Sequence, residues 1–347
     1  MRIVVNDIAA SKGGAMSVLR DFYACVCERD HENEWIFLLS DRYFAETANV
    51  KILTLPEIKK SRLKKLWFDL VSGKTYIAAL KPDVVLSLQN IITFGLKVPQ
   101  VVYIHQSIPF QTVKRFSFLK KEERGLAVIQ HLIGRIIKQS ARKSDCIIVQ
   151  TQWMKEAVCK MCHLPLDKVM TSVPPVPMAK QLMPGALDPT AFFYPTAEAV
   201  YKNNDCIFQA SRRLEEKGIP HSVTLTLPPE RTSGSVSCVG RMPYNAVIDH
   251  YRRMTLLFPS YIETFGYPLA EARAAGSVVL ASDTPFSREV LANYENAYFF
   301  DPFKPEELAL LMEKTVTGVI KRRSGRTNTQ PTGGWSEVME QVLRIGV

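Results

Sequence analysis

Long apolar runs are missing from this chain. The longest, such as Asp145-Cys146-Ile147-Ile148-Val149, are strand-sized, whereas a spanning helix needs about 20 apolar residues. No transmembrane segment is expected. The opening residues Arg2-Ile3-Val4-Val5 read directly as a strand, without the basic start, apolar core and small-residue cleavage site of a signal peptide. Cysteines number only seven, an odd and scattered set, which suits a reducing compartment better than a disulfide framework. These absences predict a cytoplasmic protein. One local pattern, Cys159-Lys160-Met161-Cys162-His163, has the spacing of c-type haem attachment. That attachment needs export, and a lone Cys-x-x-Cys lacks the second ligand pair of a structural zinc. Asp-x-Asp, Gly-x-Gly-x-x-Gly and Walker signatures are absent as well, so no motif calls for a metal or a resident cofactor.

What is present begins with size and charge. A chain of 347 residues exceeds one ordinary core, so two domains are the prior expectation. The net charge of +10 admits an anionic partner: nucleic acid, lipid or substrate. Much of it lies in Lys59-Lys60-Ser61-Arg62-Leu63-Lys64-Lys65, Lys114-Arg115-Phe116-Ser117-Phe118-Leu119-Lys120-Lys121 and Lys321-Arg322-Arg323. The first two clusters interleave Leu, Trp67, Phe116 and Phe118 with the basic residues, as segments lying on a membrane surface do. A solvated face that aids solubility explains them equally well. No nucleic-acid motif accompanies the charge.

Strand-like apolar runs alternate with amphipathic stretches. In the first half the expected strands are 2–5, 35–39, 83–88, 100–104 and 145–149, with helices over 15–28, 66–80 and 122–141. Val173-Pro174-Pro175-Val176-Pro177 is a stiff extended connector, because residues before proline are pushed out of the helical region. The alternation resumes with strands at 191–194, 222–227, 235–239, 255–258, 278–281 and 298–299. Helices follow over 203–217 and from Gly333-Gly334-Trp335 to about residue 345. Two doubly wound parallel sheets follow from this order. The expected domains are 1–173, with a terminal helix over 334–347 packing back, and 174–333.

The most informative stretch is Pro259-Ser260-Tyr261-Ile262-Glu263-Thr264-Phe265-Gly266-Tyr267-Pro268-Leu269-Ala270-Glu271. An apolar strand, Thr255–Phe258, is broken by Gly266, and Pro268 suits a helix start. Such a helix would leave the N–H groups of Leu269 and Ala270 unpaired, as an anion site. Glu263 and Glu271, eight positions apart, would lie at its rim. Carboxylates beside a phosphate cradle suit a ligand with hydroxyls and phosphates, although an acidic pair at a helix start can also merely complement its dipole. Ligands of open α/β sheets bind at strand carboxyl ends. Gly13-Gly14 follows the first strand, Asn90 the strand 83–88, and His105 the strand 100–104.

The stretch resembles the E-x7-E signature of retaining GT-B glycosyltransferases of family 4. Pro259-Ser260, Glu263, Phe265-Gly266, Pro268, Glu271-Ala272 and Gly276 carry it, continued by Val278–Asp283, Glu289-Val290 and Ala297–Pro302. The resemblance is strong over residues 235–315 and implies two Rossmann-like domains facing a cleft. It implies retaining, metal-independent transfer of a sugar from a nucleoside diphosphate, as co-substrate rather than cofactor, to a saccharide or lipid-linked acceptor in cell-surface polysaccharide synthesis. Glu271 would hold the ribose hydroxyls, and Glu263 with the backbone of Phe265 and Gly266 the donor sugar. Lys202 and Leu269 N–H would neutralise the diphosphate. Gly13 and Gly14 would face it from the other domain, and His105, in a Tyr-x-His pattern, would contact the donor sugar near the reacting centre. Arg241 and Met242 fall at the base loop, and Asn90 and Lys12 on the acceptor side. The arginine that the family carries near the diphosphate is replaced by Tyr194-Pro195-Thr196. Two other readings stay open: a GT-B-like protein that binds nucleotide sugar without transferring it, and a basic protein of nucleic-acid or anionic surfaces. A cytoplasmic enzyme touching the inner face of the membrane is the expected setting, with no nucleic-acid partner.

Overall fold

The computed structural model describes residues 1–11, 13–176, 185–323 and 334–347. They form two compact units, one comprising Met1–Pro175 together with the C-terminal helix, the other beginning at Val176.

The first unit is built on seven strands: Arg2–Asp7 (β1), Glu34–Leu39 (β2), Val50–Thr54 (β3), Val84–Ser87 (β4), Gln100–Ile104 (β5), Cys146–Val149 (β6) and Val169–Thr171 (β7). All pair in parallel, in the order β3-β2-β1-β4-β5-β6-β7. Their near-continuous apolar sequences follow from burial on both faces. On one face Phe22, Trp35, Phe37, Tyr103 and Trp335 share a core. Trp335 belongs to the helix Gly334–Gly346, and its ring centroid lies 5.8 Å from Phe22 and 5.3 Å from Tyr103. The opposite face is covered by two separate clusters, around Phe68 and Ile77 and around Phe110 and Met154.

The second unit has six parallel strands: Ala191–Tyr194 (β8), Ser222–Leu225 (β9), Val236–Cys238 (β10), Thr255–Phe258 (β11), Val279–Ser282 (β12) and Ala297–Phe300 (β13). Their order is β10-β9-β8-β11-β12-β13. Each sheet therefore reverses its winding once, between β1 and β4 and between β8 and β11. Those switch points are where open α/β sheets leave a crevice for ligands.

Three sequence expectations change. β3 and β7 had not been anticipated; both are edge strands, short and partly exposed, so neither presents a clean apolar run. The helix expected over 66–80 is three pieces, Arg62–Trp67, a wider π-turn Phe68–Ser72 and Gly73–Ala79. Gly13 is not part of a turn before the helix but opens it, with φ of +66°. Among the described residues no helix is long and apolar enough to cross a membrane.

Candidate functional site

The richest constellation lies at the switch point of the second sheet. β8 ends at Tyr194, β11 at Phe258, and the loops that follow converge. After β8 a short turn, Val200–Lys202, closes on Asn203, which adopts the left-handed conformation with φ of +55°. Asparagine tolerates that region better than most residues. Its side-chain amide donates to the carbonyls of Pro259, at 3.3 Å, and Pro302, at 2.6 Å. Tyr261 N–H donates to Tyr201 O at 3.1 Å, tying the same turn to the loop after β11. This bracing presents Lys202 to Glu263.

Lys202 Nζ donates to Glu263 Oε1 at 2.6 Å, and Ser260 Oγ donates to the same oxygen at 2.8 Å. Both charged side chains are mostly buried. Burial alone pulls the Lys202 ammonium towards deprotonation, but the Glu263 charge and hydrogen bond outweigh it and hold its pKa well above the ordinary lysine value. Lys202 is firmly cationic. It also lines an open pocket of about 460 Å³ together with Pro195, Thr196, Ala197, Thr226, Arg241, Met242 and Val247. Thr196 N–H donates to Thr226 Oγ1 and Thr226 Oγ1 donates to Thr196 O, both at 2.7 Å, fixing the wall where the sequence carries Tyr-Pro-Thr.

Gly266 caps the helix Tyr267–Ala274 with φ of +86°. That backbone conformation strains any residue with a side chain, and a Cβ there would also crowd the Leu269 side chain at 3.2 Å, so the position favours glycine. Because the helix starts at Tyr267, Pro268 is its second residue, and Leu269 N–H reaches back to Gly266 O at 2.9 Å. Ala270 N–H points to the same carbonyl, at 3.4 Å. The expectation that these two groups are unpaired is therefore corrected: a helix beginning one residue earlier supplies their acceptor. Phe265 is buried and meets Tyr267 edge-to-face at 5.3 Å, so only its backbone is left for a ligand.

Glu271 is 8% exposed, and each of its oxygens accepts a tyrosine hydroxyl: Oε1 from Tyr244 at 3.0 Å and Oε2 from Tyr251 at 3.1 Å. Burial raises its pKa above the ordinary glutamate value, against the lowering effect of the two hydroxyls. Neither tyrosine was singled out in the sequence. Their spacing of seven residues on the helix Tyr244–Arg253 puts both on one face, and that signal was readable.

In the first unit, Asn90 adopts φ of +69° after β4, and its side-chain oxygen accepts His105 N–H at 2.7 Å. These two expected residues are thus brought together. His105 Nδ1 is buried without a hydrogen-bond partner, and burial pushes the imidazole pKa down to about 4, so the ring is neutral near pH 7. Gly13 and Gly14 have open space where a Cβ would stand, which leaves their backbone approachable. Lys12 lies outside the described residues. Asp7, at the end of β1, was not assigned a role; its carboxylate and the side chain of Asn6 are buried without hydrogen-bond partners. Burial raises the Asp7 pKa to about 7, against the opposing influence of Lys65 and Lys59.

Comparisons with known proteins follow the same division. A family described as Glycosyltransferase Family 4 matches residues 12–177. A family described as Glycosyl transferases group 1 matches residues 230–330. None of the curated proteins matches the chain in sequence. Among solved structures, WaaG, a glycosyltransferase involved in lipopolysaccharide biosynthesis, aligns at 14% identity over 98% of this chain and 99% of its own, with a TM-score of 0.72. Sucrose-phosphate synthase from Thermosynechococcus elongatus aligns at 15% identity over 99% and 98% of the two chains, TM-score 0.68. HepE from Anabaena, solved in complex with UDP-glucose, aligns at 15% identity over 100% and 97%, TM-score 0.63. At these identities the likeness is one of fold.

Proposed function

The chain belongs to the family 4, group 1 glycosyltransferases of the GT-B fold, and from that premise we propose that it moves a sugar from a nucleoside diphosphate to an acceptor hydroxyl with retention of anomeric configuration. The observation that carries the reading is the paired Lys202 and Glu263 at the β8–β11 switch point, beside a pocket that Lys202 itself lines. Glu263 holds hydroxyls of the donor sugar, with the backbone of Phe265 and Gly266 beside it. Glu271 takes the ribose, and Arg241 with Met242 borders the base. Lys202 meets the diphosphate, where a fixed positive charge stabilises the charge that develops as the bond to sugar breaks. The helix Tyr267–Ala274 adds its dipole there. Leu269 N–H, already bonded to Gly266 O, contributes less than a free donor would. This division of the charge work is metal-independent, and transfer that persists in EDTA is its direct check. Within the first unit, His105 offers a neutral imidazole suited to hydrogen-bonding a sugar hydroxyl, and the open Gly13-Gly14 backbone offers N–H groups suited to a phosphate.

For the acceptor we propose a saccharide carried on a lipid, in cell-surface polysaccharide synthesis. Leu63 and Trp67 are 78% and 62% exposed. They border an apolar groove of about 570 Å³ that also touches Ile58, Leu66, Phe68 and Leu70, with Lys60 and Lys64 in the same segment. Exposed apolar residues beside lysines suit an anionic bilayer surface, and the inner face of the cell membrane is the proposed place of work.

The deciding experiment is Glu263→Gln assayed for sugar transfer and for nucleotide binding. Loss of transfer with nucleotide binding intact supports the reading; near-normal transfer removes it. A second reading, binding without transfer, is favoured by Tyr194-Pro195-Thr196 in place of the family's arginine. Nucleotide-sugar turnover in the presence of saccharide acceptors separates the two.

A further inference from the structure

Glu271 is held by two tyrosines that differ in one respect. Tyr251 is 1% exposed, its ring packed edge-to-face on Phe193 at 5.7 Å, and its backbone carbonyl accepts from Ser277 Oγ. Tyr244 is 44% exposed, opens its helix directly after Arg241-Met242-Pro243, and donates its hydroxyl to Glu271 at 3.0 Å. One partner of the carboxylate is fully enclosed and the other stands partly in solvent. A buried carboxylate without a donor would carry a large desolvation cost. The Tyr244 hydroxyl meets that need at Oε1. A ligand approaching from solvent arrives on the side that Tyr244 occupies, because Tyr251 closes the other oxygen from within.

We infer that the Tyr244 hydroxyl is a stand-in for a ribose hydroxyl and that nucleotide binding displaces it from Glu271. The inference rests on the reading that Glu271 takes the ribose. Its consequence is that Tyr244 is a specificity-determining residue for the nucleoside half of the donor. A ribose with its 2′- and 3′-hydroxyls replaces what it displaces, whereas a sugar lacking both has nothing to offer Oε1 and leaves Tyr244 in place. The tyrosine hydroxyl thereby competes with the ligand that belongs there, and lowers affinity for every ribonucleotide by the worth of one hydrogen bond. The competition leaves dideoxy forms untouched.

The test measures dissociation constants of UDP, GDP and ADP, takes the one that binds, and repeats the measurement with its 2′,3′-dideoxy analogue, on wild type, Tyr244→Phe and Glu271→Gln. The phenylalanine keeps the ring and removes the competing hydroxyl, and a melting curve checks that the fold survives. The expected result is a roughly three- to ten-fold gain in ribonucleotide affinity in Tyr244→Phe, the worth of one net hydrogen bond, with the dideoxy analogue unchanged. Unchanged or weaker ribonucleotide binding in Tyr244→Phe, while wild type still prefers ribose and Glu271→Gln abolishes that preference, overturns the inference and leaves the Glu271 assignment standing. A wild type indifferent to the ribose hydroxyls, with Glu271→Gln equally indifferent, overturns the assignment itself.

Discussion

Lys202 Nζ and Glu263 Oε1 lie 2.6 Å apart, with Ser260 Oγ on the same carboxylate oxygen. The residue proposed for the phosphates and the one proposed for the sugar thus neutralise each other. Removing either charge has opposite consequences for the other. Glu263→Gln frees Lys202, so affinity for the bare nucleoside diphosphate should hold or rise while transfer falls by at least about 100-fold, the scale for losing a group that acts at the reacting centre. Lys202→Met should weaken diphosphate binding about 10- to 100-fold, as for a charged hydrogen bond, and lower the melting temperature because Glu263 is left mostly buried without its cation. Titration calorimetry with the diphosphate, beside a transfer assay, reads both effects.

A pH profile tests Glu271. Its pKa is raised by burial, and only the ionised carboxylate is a pure acceptor for ribose hydroxyls. Ribonucleotide affinity should therefore be full at alkaline pH and fall on acidification, at a pH above that of an ordinary glutamate. Glu271→Gln should bind weakly and without that fall.

Asp7 predicts a stability profile of unusual sign. Its carboxyl has an ordinary value of 3.8 when the chain is unfolded and about 7 in the folded protein. Between those values the folded state holds the extra proton, so stability decreases as pH rises through the window and is level above it. The shift corresponds to at most about 4 kcal/mol. Asp7→Asn should melt higher than wild type at pH 8, with the gap closing towards pH 5; a gap independent of pH would contradict the cause.

The exposed apolar segment gives a binding test that does not involve the donor site. Leu63→Ser combined with Trp67→Ser should abolish sedimentation with vesicles containing anionic phospholipid, while nucleotide affinity stays unchanged. Lys64→Glu should shift that sedimentation to lower salt. Equal sedimentation of wild type and variant would refute the surface assignment.

The two sheets were legible in the sequence because doubly buried parallel strands appear as apolar runs; Thr255–Phe258 was placed to the residue. β3 and β7 were not, since an edge strand such as Val50–Thr54 exposes part of its length and loses that signature. Glu263, Glu271 and Lys202 could be named from spacing and resemblance. That Lys202 and Glu263 touch could not, because 61 residues separate them and the contact depends on the Asn203 bracing. The error over Leu269 N–H came from a shift of one residue in a helix start, enough to turn a free donor into a bonded one.

Trp335 closes the core of the first unit against Phe22 and Tyr103, yet it is translated after every strand of the second. During synthesis the ribosome must finish all thirteen described strands before residues 334–346 emerge to cover that face. Until then a patch of aromatic surface stands open on a nascent sheet, a target for chaperones and a route to aggregation. The last helix thus makes completion of the first half of the protein wait for translation of the second.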